Sequence, residues 1–142
     1  MYLLDINIWL ALTFDAHEHH HHAGIWFDTN AEKGCAFCRL TQMGFLRIAT
    51  NRGIFGEDTL TLQDAWYYSE MLLNDYRIDF YNEPVGTEHF WKLFTSGKEY
   101  SPKVWNDAYL AAFTRAGDFH LVSFDRGFHK YSDLKMTILN CS

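Results

Sequence analysis

Short apolar runs alternate along this chain with longer stretches of helical periodicity, and that alternation limits its fold more than any other feature. Tyr2 to Leu4, Cys35 to Cys38, Ile78 to Tyr81, His120 to Phe124 and Met136 to Leu139 read as strands. Between them, Ile6 to Leu12, Ala16 to Ala31, Arg39 to Thr50, Thr61 to Asn74, Thr87 to Phe94 and Ser101 to Gly117 read as helices. The order β-α-α-β-α-α-β-α-α-β-β predicts an α/β fold of three layers. Its central sheet is mostly parallel, of four to five strands, with right-handed crossovers and helices on both faces. No repeat, linker or low-complexity segment interrupts the pattern. The 142 residues fit one domain, 1–142, able to bury about two thirds of its unfolded surface.

Local signals place the boundaries. Asp15 is a candidate N-cap for the second helix, and Thr61-Leu62-Gln63-Asp64 resembles a capping box. Ser101-Pro102 reads as a helix start, with Ser as the cap and Pro in the first position. Gly117 closes that helix. Ile54 to Leu60, flanked and interrupted by Gly53 and Gly56, reads as a loop. The aromatic-rich middle, Trp66, Tyr67, Tyr68 and Trp91, reads as core packing, with a partner interface as the alternative.

Composition excludes several classes of function. Hydrophobic residues at 48% and aromatics at 18% rule out a disordered chain. No apolar run approaches the roughly 20 residues of a membrane span. No charged leader precedes an apolar core, so a cytoplasmic protein without a membrane partner is expected. With 12 basic and 18 acidic residues, a net charge of −6 argues against gripping nucleic acid by bulk electrostatics. It leaves room for an enzyme that meets a phosphodiester through a divalent cation held by clustered acids.

Two motifs invite a metal reading and neither is specific. Cys35 and Cys38 have CxxC spacing, but a structural zinc site wants a second pair and only Cys141 remains. The pair also brackets a strand-like run, so buried structural cysteines are expected. His17-Glu18-His19-His20-His21 matches HExxH, which in a zinc protease puts two imidazoles on one helix face. Four consecutive histidines, 19 to 22, make that match easy by accident, and a solvated face is expected.

The acids carry more. Asp5 follows the first apolar strand, and Asp125 follows the last long one. Ligands in an open parallel sheet bind just beyond the carboxyl ends of its strands. Asp5 also reads as a helix N-cap, and the residue alone does not choose between these roles. Asp107 lies inside an almost wholly apolar helix, on a face with Val104, Ala108 and Ala111. A carboxylate there needs a basic partner or a metal. Gln42 shares one face of its helix with Phe45, Leu46 and Ala49, one turn after a strand end, and points where Asp5 points; taken alone it reads as a surface Gln at the edge of an amphipathic helix. Three carboxylates brought to one edge cannot all ionise without a cation. Oxygen-only ligands favour Mg²⁺ or Mn²⁺ over zinc. Such a site supports attack of metal-activated water on a phosphodiester. Asn7 and Ser123 are placed to orient metal-bound waters.

Four blocks together resemble a known family. They are Leu3-Leu4-Asp5-Ile6-Asn7, Cys38 to Arg47, Asn106 to Ala112 and Ser123 to Phe128. In content and order they look like the blocks of a PIN domain, and more narrowly the chain resembles VapC-type toxins of bacterial toxin–antitoxin modules. The resemblance covers essentially the whole length. It implies a Mg²⁺- or Mn²⁺-dependent endoribonuclease, usually dimeric, acting on an RNA substrate and held inactive by a VapB-type antitoxin. Asp5, Asp107 and Asp125 occupy the family's acidic, metal-binding positions. At the remaining position the family usually has Glu, and this chain has Gln42, which can offer a carbonyl oxygen but no charge. That departure implies weaker metal affinity. It also opens a second reading, a degenerate PIN domain that binds RNA or antitoxin without cutting.

Overall fold

The fold is described from a computed structural model, for residues 1–140. Five strands form the centre: β1 (Tyr2–Leu4), β2 (Cys35–Phe37), β3 (Ile78–Phe80), β4 (His120–Ser123) and β5 (Met136–Ile138). The helices are α1 (Ile6–Thr13), α2 (His20–Asn30), α3 (Arg39–Ala49), α4 (Arg52–Phe55), α5 (Leu62–Asn74), α6 (Thr87–Phe94) and α7 (Val104–Ala116). The strand order is β3-β2-β1-β4-β5, and all four pairings are parallel.

Side chains alternate across a strand, and β1 shows the consequence for the whole molecule. Leu4 joins a core with Ile8, Trp9, Phe37, Phe45 and Val122, so α1 and α3 cover that face. Leu3 joins the other core, with Ala36, Ala111, Phe113 and Leu121, under α7. The three expected layers are therefore present. Trp9 stacks on Phe37 with ring centroids 3.8 Å apart. Helix α3 approaches α1 so closely that a Cβ on Gly44 would lie 2.1 Å from Ile6 Cδ1. That approach fixes the start of α1 against the second turn of α3.

Several expected boundaries move. The second helix begins at His20 rather than Ala16, with His19 at its cap position. Asp15 caps nothing there; it lies exposed in the preceding turn, 3.4 Å from His20 Nε2. His20 Nδ1 lies 2.7 Å from Ala11 O, tying the turn to α1 instead. The late helix starts at Val104, because Ser101 and Pro102 lie in an exposed segment with no core to cover. Asp107 consequently falls in the first turn of α7, not its second. The expected loop at 54–60 contains the end of α4 and a 3₁₀ turn, stabilised by Phe55 stacking on Phe14 at 4.0 Å. Thr61 does cap α5, accepting from Asp64 N at 3.1 Å.

Trp66, Tyr67 and Tyr68 lie on the exposed side of α5, against the core placement expected for them. Trp91 is half-buried against the α7 side, its indole donating to Trp105 O. Cys35 and Cys38 are buried and unbridged, and Cys141 lies outside the described residues. Burial pushes the Cys35 thiol up to about 12, which makes it inert. No helix among the described residues is long and apolar enough to cross a membrane.

Candidate active site

The strand order places β1 beside β4, and the chain leaves β1 in opposite directions to reach β2 and β4. That reversal opens a crevice at the carboxyl ends of the two strands, where α/β sheets bind ligands. Asp5 ends β1 and Asp125 follows the end of β4, so both stand in the crevice. Asp5 is 8% exposed, and each of its oxygens accepts a hydrogen bond. Ile6 N donates to Oδ1 at 2.7 Å, and Ser123 Oγ donates to Oδ2 at 2.6 Å. Asp5 is thus the N-cap of α1 as well as a member of the acid cluster, and the two readings of it coexist.

Ser123 is the knot. Fully buried at the end of β4, it accepts from Asp125 N at 2.9 Å and from Asn7 Nδ2 at 3.3 Å. Phe124 N donates to Asn7 Oδ1 at 3.4 Å. Gly127 N donates to Asp125 Oδ1 at 2.8 Å. The sequence suggested that Asn7 and Ser123 orient waters. In the structure Ser123 holds Asp5 directly and fixes the backbone of Asp125, with Asn7 bracing it.

Asp107 reaches the same region from α7. Its carboxylate makes no hydrogen bond or ion pair among the described residues, although Lys130 lies near enough to ease its charge. Burial first, and Asp125 second, push its acidity below that of an ordinary carboxyl. Asp5 is pushed up to about 6, chiefly by burial, against the pull of its bonds to Ser123 and Ile6; Asp107 and Asp125 add to the rise. The three carboxylates therefore share one field. As they stand, no three His, Cys, Asp or Glu side chains among the described residues close around a single point.

Gln42 is buried at 7% exposure, not the surface residue an isolated reading favours. Its Oε1 accepts from the Arg39 guanidinium, so the oxygen expected to serve a metal or water is engaged by a cation. Two further groups escaped the sequence reading. Arg39 sits at the first position of α3, and Tyr131 lies buried in the field of Asp107 and Asp125. Burial and those two acids push the Tyr131 hydroxyl up to about 12, and it lacks a hydrogen-bond partner among the described residues. A cation three residues before Gln42 was the one available signal for Arg39; Tyr131 offers none.

The histidine cluster does not form a second site. His17 lies in a turn before α2 while His21 is inside the helix and exposed, so the pair does not share a helix face. This removes the zinc-protease geometry.

Comparison with known proteins agrees with this architecture. The PIN domain family matches residues 2–134. Ribonuclease VapC41 of Mycobacterium tuberculosis is 43% identical over 98% of this chain and 99% of its own length. Among solved structures, VapBC2 from Rickettsia felis, bound to a DNA fragment from its promoter, superposes with a TM-score of 0.72 at 12% identity. The superposition covers 98% of each chain. VapC20 of M. tuberculosis, described as a sarcin-ricin loop cleaving toxin, gives 0.68 at 14% identity over 95% of this chain and 98% of its own. The chain belongs to the PIN domain family.

Proposed function

We propose that this protein is a VapC-like endoribonuclease toxin, with Asp5, Asp107 and Asp125 holding a Mg²⁺ or Mn²⁺ ion at the crevice between β1 and β4. The observation that carries the reading is the Asp5–Ser123–Asp125 knot at the switch point of the sheet, with Asp107 in the same field. The identity to Ribonuclease VapC41 over nearly the whole length supports the same activity and an RNA substrate.

The donors fit a hard divalent ion: they are oxygen only, anionic, and destabilised by one another until a cation joins them. When bound, such an ion supplies an activated water and stabilises the leaving oxygen of the phosphodiester. The chain's own groups do the rest. Ser123 and Ile6 N aim the two oxygens of Asp5, and Gly127 N aims Asp125. A bound ion would favour the charged form of Asp5, which burial opposes. Supporting the partner assignment, one solved structure of the same fold is VapBC2 of R. felis bound to a DNA fragment from its promoter. We assign a VapB-type antitoxin and a homodimeric state to this chain as what its VapC-like sequence implies. The exposed Leu62, Trp66, Tyr67 and Met71 of α5 offer an apolar surface for such contacts.

The Arg39–Gln42 contact favours one second reading, a PIN domain that binds RNA or antitoxin without cutting, since position 42 adds no charge to the acid site. Incubating antitoxin-free protein with a mixed RNA pool in Mg²⁺, Mn²⁺ or chelator separates the two. Metal-dependent cleavage that disappears in Asp5→Ala is the expected result. Folded protein that cuts under none of these conditions, but gains cleavage in Gln42→Glu, would establish the binding module.

A further inference from the structure

Arg39 is exposed, yet it is not a free surface cation. Its guanidinium donates to Oε1 of the buried Gln42 and lies over the Phe80 ring, 4.7 Å from the centroid. The first contact ties it to the face of α3 that meets the sheet. The second ties it to the end of β3. Both contacts hold the plane of the guanidinium in one orientation, and Gln42 uses only a part of its five N–H donors. Among the described residues no carboxylate lies within ion-pair distance of Arg39, whereas Arg77 pairs with Asp75 and Arg115 with Asp133.

Its position relative to the acids follows from the sheet register. Tyr2 pairs with Cys35 and Leu3 with Ala36, so continuing the register sets Asp5 beside Cys38. Consistent with this, Asp5 acts on the Cys38 thiol through its charge. Arg39 is the next residue. A guanidinium held at two contacts, without a carboxylate partner, therefore stands at the carboxyl edge of the sheet, one residue beyond the position that faces Asp5, on a chain of net charge −6. A polyanionic strand entering that edge is repelled by the acids and attracted by such a cation.

We propose that Arg39, oriented by Gln42 and Phe80, is a phosphate-binding site that receives a phosphodiester of single-stranded RNA beside the acid crevice. The inference rests on the nuclease reading for its ligand. Gln42 then acts as a positioning residue for Arg39. A guanidinium fork suits non-bridging phosphate oxygens and reads no base, so the contact places the strand without selecting its sequence.

The test is the salt dependence of RNA binding by the full chain carrying Asp5→Asn, which keeps bound RNA intact. Fluorescence anisotropy with single-stranded oligonucleotides of several sequences gives Kd across a salt series. Adding Arg39→Ala is expected to weaken every sequence about tenfold, as loss of one charge-assisted contact would. The slope of log K against log salt is expected to fall by about 0.7, the value for one phosphate contact on a single strand. Arg39→Gln, which keeps a stem over Phe80 and removes only charge, is expected to give the same fall, so the test survives if the alanine variant folds poorly. Arg39→Lys restores the slope but only part of the affinity, because Lys lacks the fork. Unchanged Kd and slope in both charge-removing variants would overturn the proposal while leaving the nuclease reading intact. RNA that fails to bind the Arg39-intact protein, together with no cleavage by the unsubstituted chain, would overturn both.

Discussion

Asp5 and Asp125 reach the sheet edge from strand ends, whereas Asp107 reaches it from the first turn of a helix. The strand-borne pair is locked. Ser123 bonds to both residues, and the backbone amides of Ile6 and Gly127 take an oxygen of each. The helix-borne acid makes no such bond, and only charge relates it to the others. One half of the site is thus organised by the fold, and the other half is free to respond to what binds there. The lesson is energetic. Hydrogen bonds to a charged group hold the buried carboxylate in place, while an unbonded carboxylate near it only adds repulsion.

The largest expected effect separates the two halves by pH. A proton binds Asp5 more tightly in the folded chain than in the unfolded one, because its folded value is pushed up to about 6 from 3.8. The stability this contributes is complete below the unfolded value and is lost as pH rises through the folded one. Denaturant unfolding at pH 3 and pH 7.5 should therefore show a fall about 3 kcal/mol larger than that of Asp5→Asn, which keeps only the smaller fall due to the raised Asp107. An equal fall in that variant would assign the pH dependence elsewhere.

Breaking the knot comes next. Ser123→Ala strips Asp5 of a donor and leaves Asp125 N and Asn7 without their acceptor in a buried place. A loss of about 2 kcal/mol is expected in urea unfolding. A loss under about 0.5 kcal/mol would mean that water replaces Ser123 and that the fold does not organise the strand-borne pair.

The smallest effect concerns the free half. Asp107→Asn removes repulsion without removing a bond, so the ion-free protein should melt unchanged or slightly higher, with a gain under about 1 kcal/mol. A cooperative melt several degrees lower would show that Asp107 has a structural partner and that the contrast between the halves is false.

Much of this architecture was legible in the sequence, and the failures have a common cause. β1 and α6 fall where apolar patterning puts them, because burial on both sides of a parallel sheet leaves a plain signature. Asp5 and Asp125 were visible because an acid at the end of an apolar strand is costly without a role. The starts of α2 and α7 were misplaced because Asp15 and Ser101-Pro102 carry only local preference. The helices begin instead where Ala23 and Ala108 find a core. The bond from Ser123 to Asp5 spans 118 residues of separation, which no spacing reveals. Arg39 went unnoticed because a cation after a strand reads as solvated surface; only the fold brings Phe80 beneath it. The aromatics of α5 were assigned to the core by composition, yet the sheet has no uncovered face left to receive them.

The central claim is that three carboxylates from unlike elements act as one cation site. Isothermal titration of Mn²⁺ into the antitoxin-free protein, repeated with Asp5→Asn and Asp107→Asn, addresses it most directly. Binding at pH 7.5 that weakens as pH falls through 6, and is lost or severely weakened in each variant, is the expected result. Binding that neither substitution alters, or no binding to the folded protein at pH 7.5, would contradict it.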